Sequence, residues 1–132
     1  MKKTINCKII VVDDEPDIIK SIQVGLTKIN TNYYVIGVNN GRALFNLLQQ
    51  GQIPDIIILD IMLPEMNGWQ ILDILRTNKP WKDIPVVFIT ALDDRETMEK
   101  GIKSNTFCLK KPFRIEELRD TIEKVMGRNF LF

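Results

Sequence analysis

The stretch IPDIIILDIMLPEMNGWQIL, residues 53–72, decides how this chain folds. Ile56 to Leu59 form an unbroken apolar run that ends on a carboxylate, Asp60. A strand with one solvated face would alternate apolar and polar residues, whereas a strand buried on both faces reads as a continuous run. Pro64, Asn67 and Gly68 interrupt the pattern as loop residues before helical spacing begins at Trp69. Asp60 is therefore expected at the carboxyl edge of a parallel sheet, where open α/β folds carry their chemistry.

Outward from this stretch, apolar runs and helical stripes keep alternating. Upstream, Lys8 to Val12 reads as a strand ending at Asp13 and Asp14. Pro16, next to Asp17, opens a helix with Ile18, Ile19, Ile22, Leu26 and Ile29 at helical spacing, and Asn30 to Asn32 stop it. β-Branched and aromatic residues mark Tyr33 to Val38 as a second strand, and Asn39, Asn40 and Gly41 form a turn. A helix from about Arg42 to Gln50 directs Ala43, Leu44, Leu47 and Leu48 inward, and Gly51 and Pro54 lead into the Asp60 strand.

Downstream, Trp69 to Arg76 carries Ile71, Leu72 and Leu75 on one stripe, and Val86 to Ile89 is another fully apolar strand, closed by Thr90. A short helix over Glu96 to Lys103, capped by Asp93 or Asp94, offers Met98 and Ile102 as inward residues. Thr106 to Lys110 supplies the last strand, Lys111-Pro112 breaks it, and Ile115, Leu118, Ile122 and Val125 mark a terminal helix. These elements predict an α/β domain: a doubly wound, five-stranded parallel sheet of order 2-1-3-4-5 with helices on both faces.

With 132 residues, 45% of them hydrophobic, the chain fits one domain over 1–127 and a short tail over 128–132. Lys and Arg total 18 against 17 for Asp and Glu, so the formal charge of +1 leaves no electrostatic footprint for direct nucleic-acid binding. The first apolar run meets Asp13 and Asp14 too soon for a signal peptide or membrane span, which makes a cytoplasmic location the default. Cys7 and Cys108 form no CxxC or metal motif and are expected as reduced, buried thiols.

In a sheet of this order the first and third strands are neighbours at the switch point, so Asp13, Asp14 and Asp60 are expected to converge. Three carboxylates there repel one another unless a divalent cation joins them. Oxygen ligands without histidine favour Mg²⁺ over zinc and leave room for phosphate. Thr90 ends the fourth strand and Lys111 follows the fifth; a hydroxyl can donate to a phosphoryl oxygen and an ammonium can neutralise one. Plainer readings exist for each: an Asx turn at Asp13 and Asp14, a loop residue at Asp60, a strand-end hydroxyl at Thr90, a rim charge at Lys111. Their joint placement at strand ends favours a phosphorylated carboxylate.

These landmarks resemble the receiver domain of two-component response regulators: VVDDE at Val11 to Glu15, ILDIMLPEMNGW from Ile58 to Trp69, FITA from Phe88 to Ala91, and KPF from Lys111 to Phe113. The resemblance covers nearly the whole chain. It implies a flavodoxin-like receiver fold and phosphoryl transfer onto Asp60 from a phosphohistidine of a sensor histidine kinase or phosphotransfer protein. It implies Asp14, Asp60 and the backbone carbonyl of Met62 as direct Mg²⁺ ligands, with Asp13 acting through water. Thr90 would be the hydroxyl that swings toward the phosphoryl group, Lys111 its ionic partner, and Lys111-Pro112 a cis bond. Such a chain assists its own Mg²⁺-dependent phosphorylation and dephosphorylation without being a conventional turnover enzyme. Its fourth helix, fifth strand and fifth helix would carry the change of state outward to other proteins.

Two positions depart from that family's pattern. The aromatic residue usual three positions before the lysine is Cys108, expected to point toward the fourth helix while Phe107 points to the opposite face. The loop at Ser104 to Thr106 is one residue short. Both bear on coupling from Thr90 to the output face and leave the chemistry at Asp60 untouched.

Three rival functions share parts of the pattern. An FMN electron carrier has the fold but needs a Ser/Thr/Gly-rich phosphate loop where this chain has Asp13 and Asp14. A haloacid-dehalogenase-type phosphatase uses an aspartyl nucleophile with Thr, Lys and Mg²⁺, but with Asp-x-Asp at its first strand. A phosphorylation-independent interaction module would keep the fold and not need the charged landmarks. The output is either a downstream protein or a following output domain, and Phe130, Leu131 and Phe132 offer a contact for a second copy in a homodimer.

Overall fold

Five apolar runs form five parallel strands, each followed by a helix, in a computed structural model that describes residues 7–91, 95–103 and 106–127. The elements are β1 (Cys7–Val12), α1 (Pro16–Ile29), β2 (Tyr33–Val38), α2 (Gly41–Gln49), β3 (Ile56–Asp60), α3 (Gly68–Thr77), β4 (Val86–Thr90), α4 (Arg95–Lys103), β5 (Phe107–Lys110) and α5 (Ile115–Gly127). The sheet order is β2-β1-β3-β4-β5, as the sequence predicts. The tail at 128–132 and the expected caps Asp93 and Asp94 lie outside the described residues. No described helix is long and apolar enough to cross a membrane.

The period of two along each strand divides the core into two layers. Ile10, Val12, Ile57, Leu59, Val86 and Phe88 face α2 and α3, where Leu44, Leu48, Ile71 and Leu75 meet them. Ile9, Val11, Ile56, Ile58, Val87 and Ile89 face α1 and α5, against Ile22, Leu26, Leu118 and Ile122. All five residues of β3 are buried. Each apolar side chain removed from water on both faces contributes about 1.5–3 kcal/mol, so the central strand is fixed in register and its polar last residue is fixed with it.

Side-chain caps set two helix starts one residue earlier than apolar spacing suggests. Asn40 accepts from the Ala43 amide at 2.8 Å, so α2 begins at Gly41. Asn67 accepts from the Gln70 amide at 3.0 Å while the Gln70 side chain accepts from the Asn67 amide at 2.8 Å. This reciprocal box makes Asn67 the N-cap and Gly68 the first residue of α3.

Helix α4 corrects one expectation. Met98 and Ile102 are exposed (45% and 79%), and the residues it buries are Thr97 and Gly101. The reason is closeness: a Cβ on Gly101 would lie 2.8 Å from Cys108 Sγ, so the helix backbone rests directly on β5 and only small residues fit between them. Cys108 does face α4, on the layer containing Phe88, while Phe107 packs in the other layer. Both cysteines are free thiols, but half-buried where full burial was expected: β5 is an edge strand, and β1 begins at Cys7.

Candidate functional site

Parallel register brings the polar strand ends to one edge. Val12 pairs with Leu59, Asp60 with Ile89 and Thr90 with Lys110, so Asp13, Asp60, Thr90 and Lys111 follow one another across neighbouring strands. Asp13 and Asp60 are buried, Asp14 and Glu15 exposed, and carboxylate oxygens of all four lie within 4.8 Å of one another. The Lys111 ammonium stands among them, 2.8 Å from Asp13 Oδ2, 3.2 Å from Glu15 Oε1 and 3.3 Å from Asp60 Oδ2. Sequence reasoning did not assign Glu15 a role of its own; a third consecutive acid was the available signal.

Backbone hydrogen bonds hold these groups in place. The Lys111 amide donates to the Thr90 carbonyl at 2.7 Å, which continues the β4–β5 pairing past the strand end, and the Lys111-Pro112 bond is cis. Asp13 Oδ1 accepts from the Glu15 amide at 2.8 Å, and Asp60 Oδ1 accepts from the Met62 amide at 3.1 Å. Behind Asp60 the loop folds back so that the Gly68 amide donates to the Ile61 carbonyl at 2.9 Å. A Cβ on Gly68 would lie 2.8 Å from the Asp60 carbonyl oxygen, a backbone atom with little freedom to move, so only glycine lets α3 begin this close to β3. Glu65, in the same loop, adopts the left-handed conformation with φ 67°. Thr90 is buried at its strand end, whereas the Met62 side chain is exposed.

Charges inside this edge oppose one another. Burial raises the pKa of Asp60 above its ordinary value, and the neighbouring Asp13 carboxylate raises it further; Lys111 and the Met62 amide pull it back. For Lys111, burial alone would lower the value, but the pull of the Asp13, Asp60 and Glu15 carboxylates outweighs it and holds the ammonium above its ordinary range. One ammonium thus serves three carboxylates. Asp13 Oδ2 is buried and accepts no hydrogen bond; its 2.8 Å approach to Lys111 is an ionic contact. A buried oxygen without a hydrogen bond, in a cluster made only of oxygen donors, fits a hard divalent cation.

An open cavity of about 510 Å³ leads away from Lys111 and Glu15 between α1 and the segment after β5. Ile18, Ile22, Phe113 and Ile115 give it an apolar floor.

Comparison with known proteins agrees with this geometry. Residues 9–123 match the response regulator receiver domain, and the chain belongs to that family. It is 33% identical over 123 residues to a probable transcriptional regulator, ycf27, of Guillardia theta, covering 92% of this chain and 46% of that protein. It is 35% identical over 125 residues to the probable transcriptional regulator ycf29 of Pyropia yezoensis, covering 94% of this chain and 55% of that one. The chain therefore spans about half the length of these relatives. Among solved structures, the receiver domain of the Francisella response regulator 1452 superposes with a TM-score of 0.81 at 30% identity, covering 95% of this chain and all of that one. A receiver fold carrying an acidic cluster of this kind is consistent with a phosphoacceptor site and a signalling role.

Proposed function

We propose that this chain is a phosphorylation-dependent switch, over 1–127, that accepts a phosphoryl group on Asp60 from a phosphohistidine of a sensor kinase or phosphotransfer protein in the cytoplasm. The observation that carries the reading is the Asp60 carboxylate, buried at the end of β3 with Lys111 Nζ 3.3 Å away. An Asp60 oxygen attacks phosphorus, the donor's phosphorus–nitrogen bond breaks, and the leaving imidazole keeps the electron pair. Lys111 then turns from the carboxylates to the phosphoryl oxygens, and the Thr90 hydroxyl donates to another. Hydrolysis returns the Asp60 carboxylate and inorganic phosphate.

Asp13, Asp14, Asp60 and the Met62 carbonyl would hold Mg²⁺, which when bound offsets the negative charge gathered at this edge. The cavity beside Glu15 and Lys111 would receive part of the donor protein next to the acidic cluster. Downstream, the face formed by α4, β5 and α5, with Thr90 and Cys108 beneath it, would present the changed state to another protein or to an output domain of the same chain.

The test is intact-mass measurement after incubation with a small acyl phosphate. One phosphate-sized adduct is expected with Mg²⁺, none after chelation and none in Asp60→Asn. An undiminished adduct in Asp60→Asn overturns the assignment. No adduct in the unaltered protein favours the phosphorylation-independent module instead.

A further inference from the structure

Two consecutive residues of helix α4, Lys100 and Gly101, make contacts that meet at one side chain, Phe88. Phe88, fully buried on β4, lies two residues before Thr90. On one side the ring of Trp69 packs on it with centroids 4.5 Å apart, and Lys100 of α4 places its ammonium 5.1 Å from the Trp69 centroid. On the other side Phe88 is paired in register with Cys108, whose Sγ sits where a Cβ on Gly101 would be 2.8 Å away. Lys100 and Gly101 thus seat α4 on Trp69 and Cys108 in turn.

Trp69 is also tied to the other end of the site. It directly follows Gly68, whose amide donates to the Ile61 carbonyl and at which a Cβ would lie 2.8 Å from the Asp60 carbonyl oxygen. A shift of the Asp60 loop therefore moves the ring on which Lys100 rests. The ring cannot take up that shift freely, because its inner side is against Phe88 in a close-packed layer. The Lys100 side chain is exposed and can leave the ring without breaking a buried contact.

We propose that the Lys100–Trp69 contact is a latch that holds α4 in the unphosphorylated arrangement, and that phosphoryl uptake at Asp60 releases it through Gly68 and Trp69. This rests on the reading of Asp60 as the phosphoryl acceptor and adds the residues that carry the event to α4. A contact present in one state and lost in the other shifts the equilibrium by its own free energy, and binding at Asp60 must reflect that shift. Removing the latch makes uptake easier.

The experiment uses beryllofluoride with Mg²⁺ as the phosphoryl mimic. The chain's second tryptophan, Trp81, stacked on Phe45 in the α2–α3 layer, is replaced in a Trp81→Phe background so that emission reports Trp69 alone. Mimic occupancy is followed separately by fluorine NMR. The expected result is a Trp69 emission change that tracks occupancy. In Lys100→Gln the change should be lost and mimic affinity should rise about two- to fivefold, the range of an exposed cation–π contact. Lys100→Arg, whose guanidinium also stacks on indole, should restore both. Occupancy without any Trp69 response, or unchanged affinity in Lys100→Gln, overturns the latch and leaves the functional reading intact. No occupancy in the unaltered protein overturns the functional reading and the latch together.

Discussion

The Lys111 ammonium stands 2.8 Å from the buried Asp13 carboxylate and shares itself with Asp60 at 3.3 Å. One cation thus offsets two carboxylates that have little water to screen them, and removing it leaves both unpaired. Lys111→Met is expected to lose about 1–3 kcal/mol of stability with metal chelated, less than for a fully enclosed pair because the edge is open to solvent. Excess Mg²⁺ should stabilise this variant more than the unaltered protein, since no lysine competes for the same oxygens. Thermal melts with and without Mg²⁺ check both statements. A variant as stable as the parent without metal, or an equal gain from Mg²⁺, counts against the arrangement.

Asp60 shows the opposite balance, because burial and then Asp13 raise its pKa above 3.8. In the window between 3.8 and the raised native value, the native state holds a proton that the unfolded chain has released. Stability therefore falls as pH rises through that window, and the deficit is complete above it. Asp60→Asn carries no charge and keeps an oxygen for the Met62 amide. At neutral pH without metal its melting temperature should exceed the parent's by ~2–6 °C. The gap should close as pH falls toward and below 3.8. Calorimetry across that range measures it, and a gap that widens in acid contradicts the cause.

Both cysteine thiols are held protonated by their surroundings. Burial first, and then Asp55, pushes the Cys7 thiol up to about 11, and burial raises Cys108. Two units cut the thiolate at pH 8 about a hundredfold, and the greater nucleophilicity of a more basic thiolate returns about tenfold. Labelling of native Cys7 by a disulfide reagent should run about tenfold slower than that of a free thiol. Cys108 should also lag, and both should reach the free rate in urea. Fast labelling of Cys7 in the native protein would contradict its burial at the start of β1.

Where burial is two-sided, the sequence was easy to read. Ile56 to Leu59 and Val86 to Ile89 have no polar member because neither face meets water, and the carboxylate or hydroxyl that ends each run marks the sheet edge without ambiguity. Asp13, Asp60 and Thr90 were legible for that reason, whereas Lys111 follows a half-buried edge strand and was marked by the break at Pro112. The starts of α2 and α3 were displaced because Asn40 and Asn67 cap through side-chain oxygens, which an apolar stripe does not record. Helix α4 was misread at a deeper level. Ranking residues by apolarity turns Met98 and Ile102 inward, but an approach this close to β5 selects for size, so Thr97 and Gly101 occupy the interface. Glu15 escaped notice because its partner, Lys111, lies 96 positions away.

The Gly101–Cys108 contact leaves no room for a side chain at position 101. A methyl at position 101 would sit 2.8 Å from Cys108 Sγ, closer than such atoms approach, so α4 must lift or the thiol must turn away. Overpacking of this kind costs ~1–3 kcal/mol, against ~0.5–1 kcal/mol that alanine gains over glycine inside a helix. Gly101→Ala should therefore be destabilised, although helix propensity alone predicts the reverse. Adding Cys108→Ala removes the sulfur that the methyl meets, so the double variant should be more stable than the sum of the two single changes allows, with a coupling of ~0.5–3 kcal/mol for residues in direct contact. Cys108→Tyr meets the same wall: its ring has no space under Gly101 and must displace the helix or turn outward. Urea denaturation of the two single variants and the double variant gives the coupling directly. If Gly101→Ala matches or exceeds the parent, or the two changes simply add, α4 does not rest on Cys108 as described.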